Sequence, residues 1–76
     1  SESETVKNGA KLARHRLLPV PRDVDPSGKV HMWAHIRLGG GAGLSAPRMH
    51  YFDDVGNTGK IYIGYLGPHL PVKSTN

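Results

Sequence analysis

Ten consecutive residues, from Lys29 to Leu38, alternate between an aliphatic side chain and a basic or aromatic one. Successive side chains of a β-strand point to opposite faces, whereas a helix returns to the same face every three or four residues. The alternation therefore predicts a strand with one buried face and one exposed face. The side chains predicted to point inward are Val30, Met32, Ala34, Ile36 and Leu38, and those predicted to point outward are Lys29, His31, Trp33, His35 and Arg37.

Two further segments, residues 47–53 and 60–66, are predicted to be strands, and the second is rich in β-branched and aromatic residues. The six residues between them, Asp-Val-Gly-Asn-Thr-Gly, have the composition of a turn, so we expect an antiparallel hairpin. Asp53 and Asp54 are expected to start that turn through side-chain bonds to the backbone. The predicted fold is mainly β, with a small α+β fold possible. It consists of a three-stranded antiparallel sheet, a glycine-rich connector at residues 39–45 and an extended C-terminal tail from His69.

The N-terminal part of the chain has a different character. Residues 1–18 are predicted to form a polar and basic arm, and residues 19–76 the small β domain. Both a short helix from Ala10 to Leu17 and a solvated arm are compatible with the mixture of basic and apolar side chains. Three prolines at positions 19 to 26 exclude a regular helix up to Ser27, and residues 25–28 have the sequence of a β-turn.

Size and composition restrict the classes of protein to consider. A chain of 76 residues forms one domain with a thin core. The absence of cysteine excludes disulfides and thiolate zinc sites. No apolar run reaches the ~18 residues that span a bilayer, so we expect no membrane contact and a cytoplasmic location. A net charge of +4 favours a polyanionic partner.

The outward face of the predicted sheet determines the functional prediction. In the third strand Ile61, Ile63 and Tyr65 are predicted to point inward. In the second strand Arg48 and His50 are predicted to point outward, with Met49 and Tyr51 inward, because burying a cation and a histidine is unfavourable. One aromatic residue from each strand then lies among basic residues. The predicted nucleic-acid-binding set is Lys29, His31, Trp33, His35, Arg37, Arg48, His50, Phe52, Lys60 and Tyr62.

Aromatic side chains among cations suit stacking on bases while the charges follow the phosphates. The leading prediction is therefore a non-enzymatic domain that binds DNA or RNA. The first alternative is a small metal-independent ribonuclease, with an acid, a base and a phosphate-binding cation drawn from His31, His35, His50, Arg48 and Tyr62. The second alternative is a protein-interaction or structural module of a larger protein. In that case the aromatic residues form a second small core, covered by the N-terminal segment or by a partner.

The spacing of the histidines limits which of them can be ligands to one metal ion. On one continuous strand His31 and His35 lie about 13 Å apart, too far to share one ion. His50 is expected to lie across from His31 or His35, and one of these histidines together with His50 and Asp53 or Asp54 leaves a mononuclear site as an alternative. The established zinc signatures are absent, so neither a metal nor another cofactor is predicted.

Overall fold

The computed structural model describes residues 2, 7, 9–39 and 46–72, and within them the predicted mainly β fold is confirmed. Most of the glycine-rich connector (residues 40–45), the last four residues of the tail and much of the N-terminal arm lie outside the described residues. None of the helices in the described ranges is long and apolar enough to cross a membrane. In chain order the elements are α1 (Ala10–Arg14), β1 (Leu17–Pro19), β2 (Lys29–His31), β3 (His35–Arg37), β4 (Arg48–Asp54), α2 (Val55–Thr58) and β5 (Lys60–Gly67).

The strands form two antiparallel sheets. The predicted three-stranded sheet is present in the order β3-β4-β5, and β1 and β2 pair with each other in a separate sheet. The long predicted strand from Lys29 to Leu38 is therefore divided between the two sheets. Met32 donates its backbone N–H to the carbonyl of Arg16 beside β1, whereas the carbonyl of Ala34 accepts from Tyr51 of β4. Residues 32–34 thus carry the chain from one sheet to the other.

The N-terminal helix is shorter than the expected span. It ends at Arg14 instead of Leu17, because the residues that follow enter the β1–β2 sheet. The turn predicted at residues 25–28 is confirmed by a hydrogen bond of 2.9 Å from the Gly28 N–H to the Asp25 carbonyl. Gly28 has φ +78°, a conformation that side chains disfavour.

The hairpin between β4 and β5 is also confirmed, and its connection contains one helical turn. As expected, the Asp53 carboxylate starts this turn by accepting the backbone N–H of Val55 at 3.1 Å. The Asp54 carboxylate accepts from the Thr58 hydroxyl at 2.8 Å. Gly59 ends the turn with φ +76°.

A β-bulge in β5 changes which residues share a face. His50 pairs with Tyr65 and Tyr51 pairs with Ile63, so Gly64 has no counterpart on β4. The extra residue reverses the alternation, and Tyr65 lies on the face opposite to Ile63. The prediction that grouped Tyr65 with the two isoleucines of β5 is therefore wrong.

In the three-stranded sheet the face that the sequence predicts to be exposed is buried, and the face predicted to be buried is exposed. Ile36, Ile61, Ile63 and Leu66 are 44%, 56%, 62% and 64% exposed. They share what we call the apolar face, which consists of Ile36, Met49, Tyr51, Ile61, Ile63 and Leu66. The opposite face, called the covered face, includes His35, Arg48, His50, Phe52, Tyr62 and Tyr65.

The covered face is buried because the β1–β2 sheet and Met32, in the segment that follows β2, pack on it. A Cβ atom at Gly64 would lie 2.5 Å from Met32 Sδ and 2.9 Å from Leu18 Cβ, so both side chains press directly on the backbone of β5. Hydrogen bonds offset the burial of the polar groups. Arg48 donates to the carbonyl of Ala46, and the His50 ring bonds to the carbonyl of Met32.

The interior is correspondingly small and partly polar. Among the described residues the buried apolar side chains are Ala13, Val20, Met32, Ala46 and Leu70, two of which are alanines. The largest fully buried side chains include Arg16 and His50. Most of the large aliphatic side chains of the three-stranded sheet lie outside this core.

Candidate functional site

The structure separates the ten residues of the predicted nucleic-acid-binding set. They do not form one exposed face. Lys29, His31, Arg37 and Lys60 are exposed, Trp33, His35, Phe52 and Tyr62 are half-buried, and Arg48 and His50 are buried.

Three of these residues remain together on the outer side of the β1–β2 sheet. Val30 pairs with Leu18, and both side chains are half-buried. Because side chains alternate, Lys29 and His31 point away from the core. The imidazole of His31 stacks on the indole of Trp33, with ring centroids 4.7 Å apart and planes only 3° from parallel. We call Lys29, His31 and Trp33 the outer platform.

The outer platform belongs to a surface rich in positive charge. Seven lysines and arginines of the described ranges are exposed, against two exposed carboxylates, Asp23 and Asp53. The two buried arginines of the described ranges are Arg48, in the covered face, and Arg16, in the segment that follows α1. The exposed cations are Lys7, Lys11, Arg14, Arg22, Lys29, Arg37 and Lys60.

A second group of polar side chains, the buried cluster, consists of Glu2, Arg16, His35 and His50. Arg16 donates from Nε to Glu2 Oε1 at 2.8 Å, and both side chains are almost completely buried. The guanidinium also donates to the carbonyls of Leu12 and Pro71, at 2.9 and 2.7 Å. Arg16 therefore connects Glu2, α1 and the C-terminal segment to one another.

The two histidines of the buried cluster come from paired positions on β3 and β4. Their rings stack with centroids 4.6 Å apart. Each Nδ1 lies within hydrogen-bond distance of a backbone carbonyl, 2.9 Å from Trp33 for His35 and 2.8 Å from Met32 for His50. A carbonyl only accepts, so we assign the proton of each ring to Nδ1.

Burial lowers the pKa of His50 below its ordinary value. The hydrogen bond to the Met32 carbonyl opposes this effect, and the neighbouring His35 adds to it. Glu2 raises the pKa and Arg16 lowers it, each by a smaller amount. His50 is therefore a neutral imidazole near pH 7.

Ligand atoms of Glu2, His35 and His50 lie within 4.8 Å of one another, a spacing compatible with a metal centre. Two features oppose coordination. The carboxylate is already paired with Arg16, whose charge would repel a divalent ion, and each histidine Nδ1 is directed at a carbonyl. We interpret the cluster as a structural ion pair flanked by two stacked histidines.

The carboxylate beside His50 is Glu2, whereas the sequence suggested Asp53 or Asp54 as its companion. Those two residues bond within the hairpin turn instead. Sequence reasoning missed both Glu2 and Arg16, which are 14 residues apart. Because no local spacing rule connects such positions, only the folded chain identifies the pair.

Of the five groups named for ribonuclease chemistry, four lie on the covered face and only His31 is apart from them. His31 lies on the outer platform, whereas His35 and His50 belong to the covered face. Arg48 is buried, and the Tyr62 hydroxyl donates to the Thr58 hydroxyl at 3.1 Å. On the covered face Arg48 and His50 are buried, so these two side chains are not exposed to a phosphate in solution.

Comparison of the chain with protein-family models, with curated proteins and with solved structures finds no match.

Proposed function

We infer that the domain binds single-stranded nucleic acid, DNA or RNA, through the outer platform. The observation that supports this most directly is the parallel pair formed by His31 and Trp33 beside the exposed Lys29. The proposed site keeps three of the ten residues in the sequence-based set and omits the seven that lie on the three-stranded sheet, including the buried Arg48 and His50.

Stacking provides the attraction for bases. An aromatic side chain contributes about 1–3 kcal/mol for each base stacked on it, largely without regard to sequence. His31 is exposed, and its ring is held parallel to the larger indole, so its orientation is already restricted before a base arrives. Holding the ring in advance reduces the entropy lost on binding.

Charge provides the attraction for the backbone. Lys29 lies two residues from His31 on the same side of β2, close enough for one nucleotide to contact both. The excess of exposed cations over exposed carboxylates extends the favourable potential beyond the platform. Arg37 and Lys60 lie outside the platform, and we assign to them only a share of this electrostatic attraction.

Binding of fluorescein-labelled oligo-dT and oligo-rU to the whole chain, followed by anisotropy, tests the proposal. Because His31 is exposed, His31→Ala should leave the fold intact and weaken binding about tenfold, the effect of losing one stacked base. Trp33→Ala should weaken binding at least as much, with circular dichroism checking that the variant folds.

Lys29 and Lys60 form a matched pair for the charge contribution, since both are exposed lysines that begin a strand. Lys29→Ala should weaken binding more than Lys60→Ala. Equal effects of the two variants together with a silent His31→Ala would contradict the platform, and so would the absence of binding at about 50 mM salt.

A further inference from the structure

The apolar face is the largest feature that nucleic-acid binding does not use. Its side chains lie in register across all three strands of the sheet, with Ile36 beside Met49, Met49 beside Leu66, and Tyr51 beside Ile63. Its four aliphatic residues, Ile36, Ile61, Ile63 and Leu66, are between 44% and 64% exposed. The opposite face of the same sheet already contacts the β1–β2 sheet, so this face has no cover among the described residues.

Single exposed aliphatic residues are common on proteins, but contiguous patches are not. The six side chains form an apolar patch on the order of 400 Å², the size of the largest patches on typical monomers, which often serve as interaction sites. Ile61, Ile63 and Leu66 come from one edge strand, and an edge strand with exposed aliphatics also risks aggregation unless it is covered.

We propose that a second copy of this chain covers the apolar face, so that two three-stranded sheets pack face to face in a twofold dimer. A twofold interface uses the same patch on both subunits, which suits a face that is apolar throughout its centre. Two such sheets, packed about 10 Å apart, form a β-sandwich.

The area of the face is sufficient for such an association. The two apolar patches together account for about 800 Å², and with the polar atoms at their margins two packed copies would bury on the order of 1,000 Å² in total, near the lower limit for a specific interface. The expected dimer is therefore moderately stable and depends on protein concentration.

The distribution of charge favours an uncharged partner surface over a charged one. Among the described strand positions of this face the one charged residue is Asp53, at the hairpin end. Arg37, Arg48 and Lys60 belong to the opposite parity of their strands. An acidic or basic partner would find nothing to pair with, whereas the apolar face of another copy is complementary to it.

The small core favours a permanent partner, one that is available wherever the chain itself is present. With alanines among its few buried apolar residues, the described interior leaves the large aliphatics of the sheet in water. Burying them would contribute about 25 cal/mol per Å² of apolar surface, which is substantial for a chain this small. A second copy meets this requirement without any other component.

Sedimentation equilibrium of the whole chain, from about 5 to about 500 µM, tests the proposal directly. The chain should convert from monomer to dimer across this range. Ile63→Thr keeps a β-branched residue in the strand while removing apolar surface, and it should raise the dimer dissociation constant at least tenfold. Val55→Thr is the matched control, because Val55 is 54% exposed in the hairpin turn, outside the face. It should leave the dissociation constant unchanged.

A chain that stays monomeric at about 500 µM would overturn the proposal and assign the face to a different occupant. A dimer that Ile63→Thr and Val55→Thr weaken equally, or not at all, would overturn it too. His31→Ala leaves this face untouched and should not affect dimerisation. Failure of the dimer and failure of nucleic-acid binding are therefore separate results.

Discussion

At the scale of single residues, the chain shows how a polar side chain becomes acceptable inside a small protein. The sequence predicts that Arg48 and His50 are exposed, because burying a cation and a histidine is unfavourable, and this expectation determines which face of the sheet is predicted to be exposed. In the structure each finds a backbone carbonyl, of Ala46 and of Met32. Burying a polar group costs much less free energy when the group keeps a hydrogen bond than when it is left unpaired. The partners lie on segments whose position no local pattern reveals.

The buried His50 makes the stability of the domain dependent on pH. Its pKa is lowered in the folded state, whereas in the unfolded chain it returns to about 6.5. Below that value the unfolded chain binds more protons than the folded one, so acidification favours unfolding. The free energy of unfolding should therefore fall as the pH is lowered from 7 to 5.5, by at most about 1.4 kcal/mol per pH unit for one proton.

Urea unfolding at the two pH values measures this effect. The groups around His50 include His35, Glu2, Arg16 and, edge-on to its ring, Tyr65. His50→Gln retains a donor for the Met32 carbonyl and should reduce the difference between the two pH values. The exposed His31→Gln should preserve it. An identical pH difference in wild type and His50→Gln would show that other groups are responsible.

At the scale of elements, the prediction succeeded where pairing is local. Residues 48–54 and 60–67 form a hairpin because the turn between them has its own bonding pattern, from Asp53 through Gly59. It failed where one residue changes the alternation. Gly64 inserts a bulge, and a glycine inside a strand pattern is the signal that would have indicated one. The division of residues 29–38 between two sheets left no such signal, since the alternation continues through the break.

Of the two glycines in β5, Gly64 should tolerate substitution by a larger residue less well. An added Cβ would lie within 3.0 Å of Met32 and Leu18, in the contact between the two sheets. Gly64→Ala should therefore destabilise the fold by about 1–3 kcal/mol, the usual penalty of an overpacked core. Gly56→Ala is the control, because no atom lies within 4 Å of its added Cβ.

Chemical denaturation of both variants at equal protein concentration tests this contact. Gly56→Ala should be neutral or slightly stabilising, since alanine favours a helical turn. A Gly64→Ala variant as stable as the wild type would mean that the β1–β2 sheet does not press on β5 as described.

At the scale of the whole molecule, the predicted three-stranded antiparallel sheet with one apolar and one basic face is present. The prediction of which face is buried was wrong. The sequence does not show what covers a sheet. Here the cover comes from β1, a strand of three residues that includes a proline, and from Glu2 near the start of the chain. Neither has a strong local signature, since proline disfavours strand interiors and a single glutamate resembles any surface residue. Phe52 and Tyr62 are half-buried on the covered face, whereas Trp33 lies on the outer platform.

The two proposed associations of the whole molecule should respond to salt in opposite directions. Nucleic-acid binding releases counterions, so the logarithm of its binding constant should fall with the logarithm of salt, by about 0.7 for each phosphate contacted on a single strand. The dimer brings together two chains that each carry a net charge of +4. Salt screens this repulsion and strengthens apolar contact, so dimerisation should become tighter. Measured by anisotropy and by sedimentation between about 50 and about 500 mM NaCl, the two dissociation constants should diverge. If higher salt weakened both associations, charge and not apolar contact would hold the dimer together, and the apolar face would not be its interface.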